Sequence, residues 1–161
     1  MTNITERLFD IEITCEKCFY EPNSHSFHIL SENSEEVYFY TCHVKTKKDE
    51  GFVKHMSVEI QKIKNKNWVW ILDGELFEFK HLFCPKIGLK INNFLTTNLC
   101  SKLQNIIIVN QNIPFKMMLF SIWRYIPNNI RKNIIIDTNK TFSELLKIDD
   151  KLDILKSKLA Y

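Results

Sequence analysis

Two isoleucine runs bracket the most apolar segment of the chain, and together they restrict its fold more than any other feature. Asn105 to Asn110 reads Asn-Ile-Ile-Ile-Val-Asn, and Ile134-Ile-Ile-Asp137 repeats the pattern. Between them, Pro114-Phe-Lys-Met-Met-Leu-Phe-Ser-Ile-Trp-Arg-Tyr-Ile-Pro127 is apolar at nearly every position. Short β-branched runs suit buried strands, and a proline at the start of an apolar stretch suits the first turn of a helix. The unit therefore reads as strand, helix 114–126, strand 133–137. A helical crossover of this length is what parallel strands need to become neighbours.

The rest of the chain extends that alternation. Val37 to Val44 is aromatic and β-branched on both alternating faces, as in a strand covered by helices. Residues 47–66 carry Phe52, Val53, Met56, Ile60 and Ile63 at helical spacing. Trp68-Val-Trp-Ile-Leu-Asp73 is a second continuous apolar strand, ended by the Asp73-Gly74 turn signal. Residues 86–104 place Ile87, Ile91, Phe94, Leu95, Leu99 and Leu103 on one helical stripe. A short helix is expected around 141–147 and an amphipathic one over 149–161. Residues 1–35 give weaker signals: an alternating strand pattern at Leu8–Thr14 and polar turns at 21–24 and 31–36. Alternation of buried-type strands with helices predicts an α/β fold, one domain over residues 1–161, with a mostly parallel sheet flanked by helices.

Composition narrows the classes. Glycine occurs three times in 161 residues, too few for a phosphate-cradling loop after a strand. The net charge is only +3, and no basic block is interleaved with stacking aromatics, so no nucleic-acid partner is expected. No signal-peptide pattern and no uncharged run near the length of a membrane span occurs. Five cysteines without a secretory signal suit reduced thiols. These features predict a cytoplasmic protein.

The sequence offers no nucleophile–base pair, paired carboxylates or metalloprotease motif, so it predicts a non-enzymatic chain without a cofactor. A thiol chemistry at Cys42 or Cys100 is the alternative, weighed against the usual inertness of buried cysteines. Cys15-Glu-Lys-Cys18 followed by His25 and His28 has metal-ligand residue types. Thiolates two apart can share an ion, but two intervening residues between the histidines is shorter than the usual three to five. The spacing alone assigns no metal. A redox reading of Cys15 and Cys18 expects the pair to open a helix, and Phe19-Tyr20-Glu21-Pro22 does not read as a helix start.

On a helical projection of 114–126, Phe115, Met118, Leu119, Ile122, Trp123, Tyr125 and Ile126 fill one broad arc. Lys116, Ser121 and Arg124 lie opposite, with Met117 and Phe120 among them. A helix covering a core with one face needs no apolar residues between its cations. One reading is that another segment covers them. The other is an apolar ridge flanked by Lys116 and Arg124, suited to an anionic membrane surface.

From Val37 to Ile148 the chain resembles the CRAL-TRIO lipid-binding domain. The resemblance rests on the aromatic strand 37–44, on Trp68-Val-Trp-Ile-Leu-Asp73, and on Asn98-Leu-Cys-Ser-Lys-Leu-Gln-Asn followed by a strand ending in Asn110. Pro114-Phe115 through Trp123 and Pro127, Arg131-Lys-Asn-Ile134, and Thr141-Phe-Ser-Glu-Leu-Leu146 complete it. It implies a CRAL-TRIO-like core over 37–148, a gate helix at 114–126, and binding or transfer of a lipid or other hydrophobic small molecule, with transient membrane contact and a location peripheral to membranes. The expected cavity residues are Trp70, Leu72, Ile107 and Val109 on the sheet, and Phe115, Met118, Leu119, Ile122, Tyr125 and Ile126 on the helix. The expected membrane contacts are Lys116, Met117, Phe120 and Arg124. The family's inositol-reading Glu and Lys fall on Ser101 and Asn133, so the resemblance does not extend to inositol-lipid specificity. A branch of the family found beside Rho GTPase-activating domains implies the alternative, a protein-interaction module with a filled cavity.

Overall fold

The computed structural model describes residues 15–21, 24–42, 51–80 and 85–136. The elements expected at Leu8–Thr14, 141–147 and 149–161 lie outside them. The order is α1 (Glu16–Tyr20), β1 (His28–Glu32), β2 (Glu36–Cys42), α2 (Phe52–Lys62), β3 (Asn67–Asp73), α3 (Pro85–Leu95), a 3-10 turn (Asn98–Cys100), β4 (Leu103–Val109), α4 (Ile113–Trp123), α5 (Asn128–Arg131) and β5 (Ile134–Ile136). The five strands form one sheet in sequence order. β1 runs antiparallel to β2, and β2 through β5 are parallel. The α/β class and the mostly parallel sheet are as the sequence predicts.

Because the strand order never reverses, right-handed crossovers carry successive helices to the same face. That face holds Val37, Phe39, Trp68, Trp70, Ile106 and Ile108, packed with Phe52 and Met56 of α2, Phe94 and Leu95 of α3, Phe115 of α4 and Ile130 of α5. Alternate residues Tyr40, Cys42, Val69, Ile71, Ile107 and Val109 form a second buried cluster on the opposite face. Both faces are buried, which is why these strands read as continuous apolar runs. Each fully buried large apolar side chain contributes about 1.5–3 kcal/mol. Trp70 meets the hydrogen-bonding demand of its indole by donating Nε1–H to Thr41 Oγ1 at 2.8 Å.

Local chemistry sets the helix ends. α2 stops where Lys64 and Asn65 take positive φ values of 48° and 68°, a left-handed exit that Asn accepts readily. The stripe over 86–104 predicts a helix reaching 104, but α3 ends at Leu95. There Thr96 and Thr97 turn their hydroxyls onto the carbonyls of Asn93 and Phe94, both at 2.7 Å. β-branched threonines are poor helix formers and compete for backbone acceptors in this way. The 3-10 turn then frees Leu103 to start β4. α4 begins as expected: Asn112 caps it by accepting from Phe115 N–H at 2.9 Å, with Pro114 in the first turn.

Candidate functional site

Between the sheet and the helices α3 and α4 lies a cavity of about 180 Å³. Its floor is Trp70, Leu72, Ile106 and Ile108, alternate residues of β3 and β4. In the parallel register Trp70 sits beside Ile106 and Leu72 beside Ile108, so these side chains share one face. Ile87, Gly88, Ile91, Asn92 and Leu95 of α3 form one wall; Phe115, Met118, Leu119, Ser121 and Ile122 of α4 form the other, with Ile126 beyond its end. Phe115 is fully buried, edge-on to Phe77 with ring centroids 5.4 Å apart. The lining is almost wholly apolar. Asn92 is its main polar side chain: Nδ2 donates to the Tyr125 carbonyl at 2.6 Å, while its buried Oδ1 has no partner among the described residues.

Of the expected cavity residues, Trp70, Leu72, Phe115, Met118, Leu119, Ile122 and Ile126 line this space. Three do not. Ile107 and Val109 point to the opposite face of the sheet, in the second cluster; Ile106 and Ile108 take their places. An uninterrupted Ile-Ile-Ile-Val run gives no alternation from which to choose the face. Tyr125 is 51% exposed, because α4 ends at Trp123 and the chain turns away. The Arg124 guanidinium lies over the Tyr125 ring, 4.7 Å from its centroid. α3, which supplies one wall, carries Ile87, Ile91 and Leu95 on the apolar stripe read from the sequence, and that stripe is the signal for its part in the lining.

The outward face of α4 is unusual for a helix on a core. Lys116, Met117, Phe120, Ser121 and Arg124 are all exposed, Phe120 to 87% and Met117 to 51%. Among the described residues no helix is long and apolar enough to cross a membrane.

Asp73 closes the C-terminal end of β3. It is fully buried and accepts from the Tyr40 hydroxyl at 2.6 Å, the Glu75 N–H at 3.0 Å and Asn110 Nδ2 at 3.3 Å. Burial, then the neighbouring Asp73 charge, pushes the Tyr40 phenol far up. The strand ends of an α/β sheet are a common ligand position, but here these contacts tie three strands together. Cys42 and Cys100 are both buried, and burial pushes the Cys100 thiol up to about 11, away from the nucleophilic thiolate.

A second constellation lies beside β1. Cys15 Sγ and Cys18 Sγ approach His25 Nδ1 at 3.3 and 3.5 Å, and His55 Nδ1 at 3.4 and 3.6 Å. Cys15, Cys18 and His25 are thus brought together as their residue types suggest. Contrary to the sequence spacing, the fourth member is His55 of α2, not His28. His55 is buried on the apolar side of α2, close to Phe52 and Met56 in the stripe, and this placement was its only sequence signal. His28 Nε2 is buried without a hydrogen-bond partner among the described residues, and burial holds its imidazole down at about 4. The Cys-x-x-Cys pair does open a helix, with Cys15 as the N-cap of α1, against the expectation from Phe19–Pro22. Burial pushes the Cys18 thiol up and the His55 imidazole down. No protein-family model and no curated protein sequence matches the chain, so the cavity and this cluster are the features from which its function is read.

Proposed function

We propose that the chain is a non-enzymatic binding protein for a lipid-like ligand, a compact relative in kind of the CRAL-TRIO domains it resembles. Its apolar portion occupies the space between the sheet and helices α3 and α4. The carrying observation is that apolar space itself: Trp70, Leu72, Ile106 and Ile108 face Ile91, Met118, Leu119 and Ile122 across it. Each methylene moved from water into such a site contributes about 0.8 kcal/mol, enough for affinity without polar contacts. Asn92 Oδ1, buried at the wall without a partner among the described residues, would accept from a hydroxyl at the polar end of the ligand. α4 is the gate: its outward Met117 and Phe120 enter the interface of an anionic membrane while Lys116 and Arg124 meet the headgroups.

One observation favours the second reading, a protein-interaction module. The cavity, about 180 Å³, is close to the roughly 150 Å³ that holds a benzene ring and below the roughly 300 Å³ at which ligand pockets usually begin. A whole phospholipid therefore requires α3 or α4 to move outward; a short acyl segment does not.

The discriminating experiment is titration with cis-parinaric acid, following energy transfer from tryptophan, together with organic extraction of the natively purified chain. Saturable uptake competed by an unlabelled fatty acid supports the lipid reading. No uptake and no extractable lipid would leave the interaction module.

A further inference from the structure

We propose that Cys15, Cys18, His25 and His55 bind one zinc ion as a closed, tetrahedral structural centre. The coordinating atoms are two sulfurs and two Nδ1 nitrogens, all within 4.8 Å of one another. Zinc–sulfur bonds of about 2.3 Å and zinc–nitrogen bonds of about 2.0–2.1 Å, opened to the tetrahedral angle, set each S···N edge at about 3.6 Å. The four S···N edges here are 3.3, 3.4, 3.5 and 3.6 Å. With the proton of His55 on Nε2, at most three protons (two thiol and one on His25) face these four approaches, whereas one cation at their centre serves all four.

The surroundings also fit. Cys15, His25 and His55 are 3%, 1% and 4% exposed. His55 Nε2 lies 3.0 Å from the Phe27 carbonyl, which places its proton on Nε2 and leaves the Nδ1 lone pair facing the sulfurs. Such an outer hydrogen bond fixes the tautomer and ring orientation of a ligating histidine. The Cys18 backbone N–H points at Cys15 Sγ, 3.4 Å away, an outer contact that holds this sulfur in place. Four protein ligands leave no open position, which makes the centre structural and not catalytic. Two thiolates cancel the charge of the ion, so the buried centre is neutral.

Binding is balanced by release of two protons: each thiol gives one to solvent as its sulfur takes up a metal bond, and both imidazoles bind neutral. A surface pocket that reaches Cys15 and His25, bordered by Lys17 and Lys54, gives an ion a route in. Once bound, zinc ties α1 and the turn before β1 to α2, which is far away in sequence. The two thiols also admit a competing outcome, a Cys15–Cys18 disulfide, in which an oxidant such as dioxygen takes the two electrons and both protons are lost.

The test uses the full chain, purified without chelator, with metal content read by plasma mass spectrometry. About one zinc per chain is expected. Reloading with cobalt should give the intense visible d–d bands and thiolate charge transfer of a tetrahedral S₂N₂ site. His55→Gln should abolish the stoichiometric metal and His28→Gln should leave it intact. Because His55→Gln could fail to fold, a second readout uses the unaltered chain: Cys15 and Cys18 should resist iodoacetamide until a chelator is added, then react. Absence of zinc after supplementation, a Cys15–Cys18 disulfide in the reduced-buffer preparation, or loss of metal in His28→Gln equal to that in His55→Gln would overturn the assignment.

Discussion

Gly88 is the position at which the cavity makes its sharpest demand. It lies within α3 and lines the cavity, and a Cβ added there would meet only Ile122 Cγ2, at 3.9 Å. Gly88→Ala removes the excess backbone freedom of a helical glycine, a gain of about 0.5–1 kcal/mol. Gly88→Leu adds three more carbons in the space facing α4. At about 0.8 kcal/mol per methylene, less about 0.5–1 kcal/mol of side-chain entropy, the net gain is about 1.5 kcal/mol beyond alanine. For a chain of this size each kcal/mol moves Tm by about 2–4 °C. Gly88→Ala should therefore raise Tm by about 1–4 °C and Gly88→Leu by about 4–10 °C, read by circular dichroism on lipid-free protein. The same leucine, four carbons larger than glycine, takes space that about four ligand methylenes would fill, so fatty-acid affinity should fall about 200-fold, against about 4-fold for alanine. Gly74 is the control of opposite sign: its added Cβ would stand 2.8 Å from Phe115 Cγ, and overpacking of that kind costs about 1–3 kcal/mol. A lower Tm for Gly88→Leu would show that the space is filled. A higher Tm with unchanged affinity would place the ligand elsewhere.

Asp73→Ala leaves the buried Tyr40 hydroxyl without its acceptor, which costs about 1–3 kcal/mol by urea unfolding; Tyr40→Phe in the same chain should recover part of that loss, and strict additivity of the two would refute the tie. Met117→Asp with Phe120→Asp should abolish sedimentation with phosphatidylserine-containing vesicles while leaving Tm unchanged, since both side chains are exposed; retained binding would remove α4 from the membrane. Tyr38 is pushed up to about 12, first by its hydrogen bond to Glu36 and then by burial. An unfolded phenol ionises near 10, so between about 10 and about 12 the unfolded chain holds fewer protons and stability should fall as pH rises. A phenolate absorbance titration should show Tyr38 ionising only near pH 12 and Tyr40 only with unfolding; ionisation of both near pH 10 with the fold intact would contradict the assigned contacts.

Much of this architecture was legible because its strands are buried on both sides. Runs such as Trp68–Asp73 and Ile106–Val109 contain no polar interruption, and asparagine, Asp-Gly or proline marks their ends. The same property hid the facing of β4: without alternation, Ile106 and Ile108 look no different from Ile107 and Val109, and only the pairing with Trp70 and Leu72 decides between them. β1 carries no legible strand pattern because it is a five-residue edge strand with a register shift between Ile29 and Ser31. The Cys/His cluster was half legible. Cys15, Cys18 and His25 are close in sequence, but His55 arrives by the folding of α2 against β1, a tertiary fact that no local spacing contains. The early end of α3 turned on two threonine hydroxyls, a side-chain competition weaker than the apolar stripe that runs past it.

Photo-crosslinking reads whether a ligand lies between the sheet and helices α3 and α4. A diazirine-bearing fatty acid equilibrated with the chain, irradiated, digested and mapped by mass spectrometry should label peptides of α3 and α4, at Ile91, Met118, Leu119 or Ile122, and Trp70 or Ile108 on the sheet. Labelling confined to the outward residues Met117 and Phe120, or to the opposite sheet face at Ile107 and Val109, would contradict that placement.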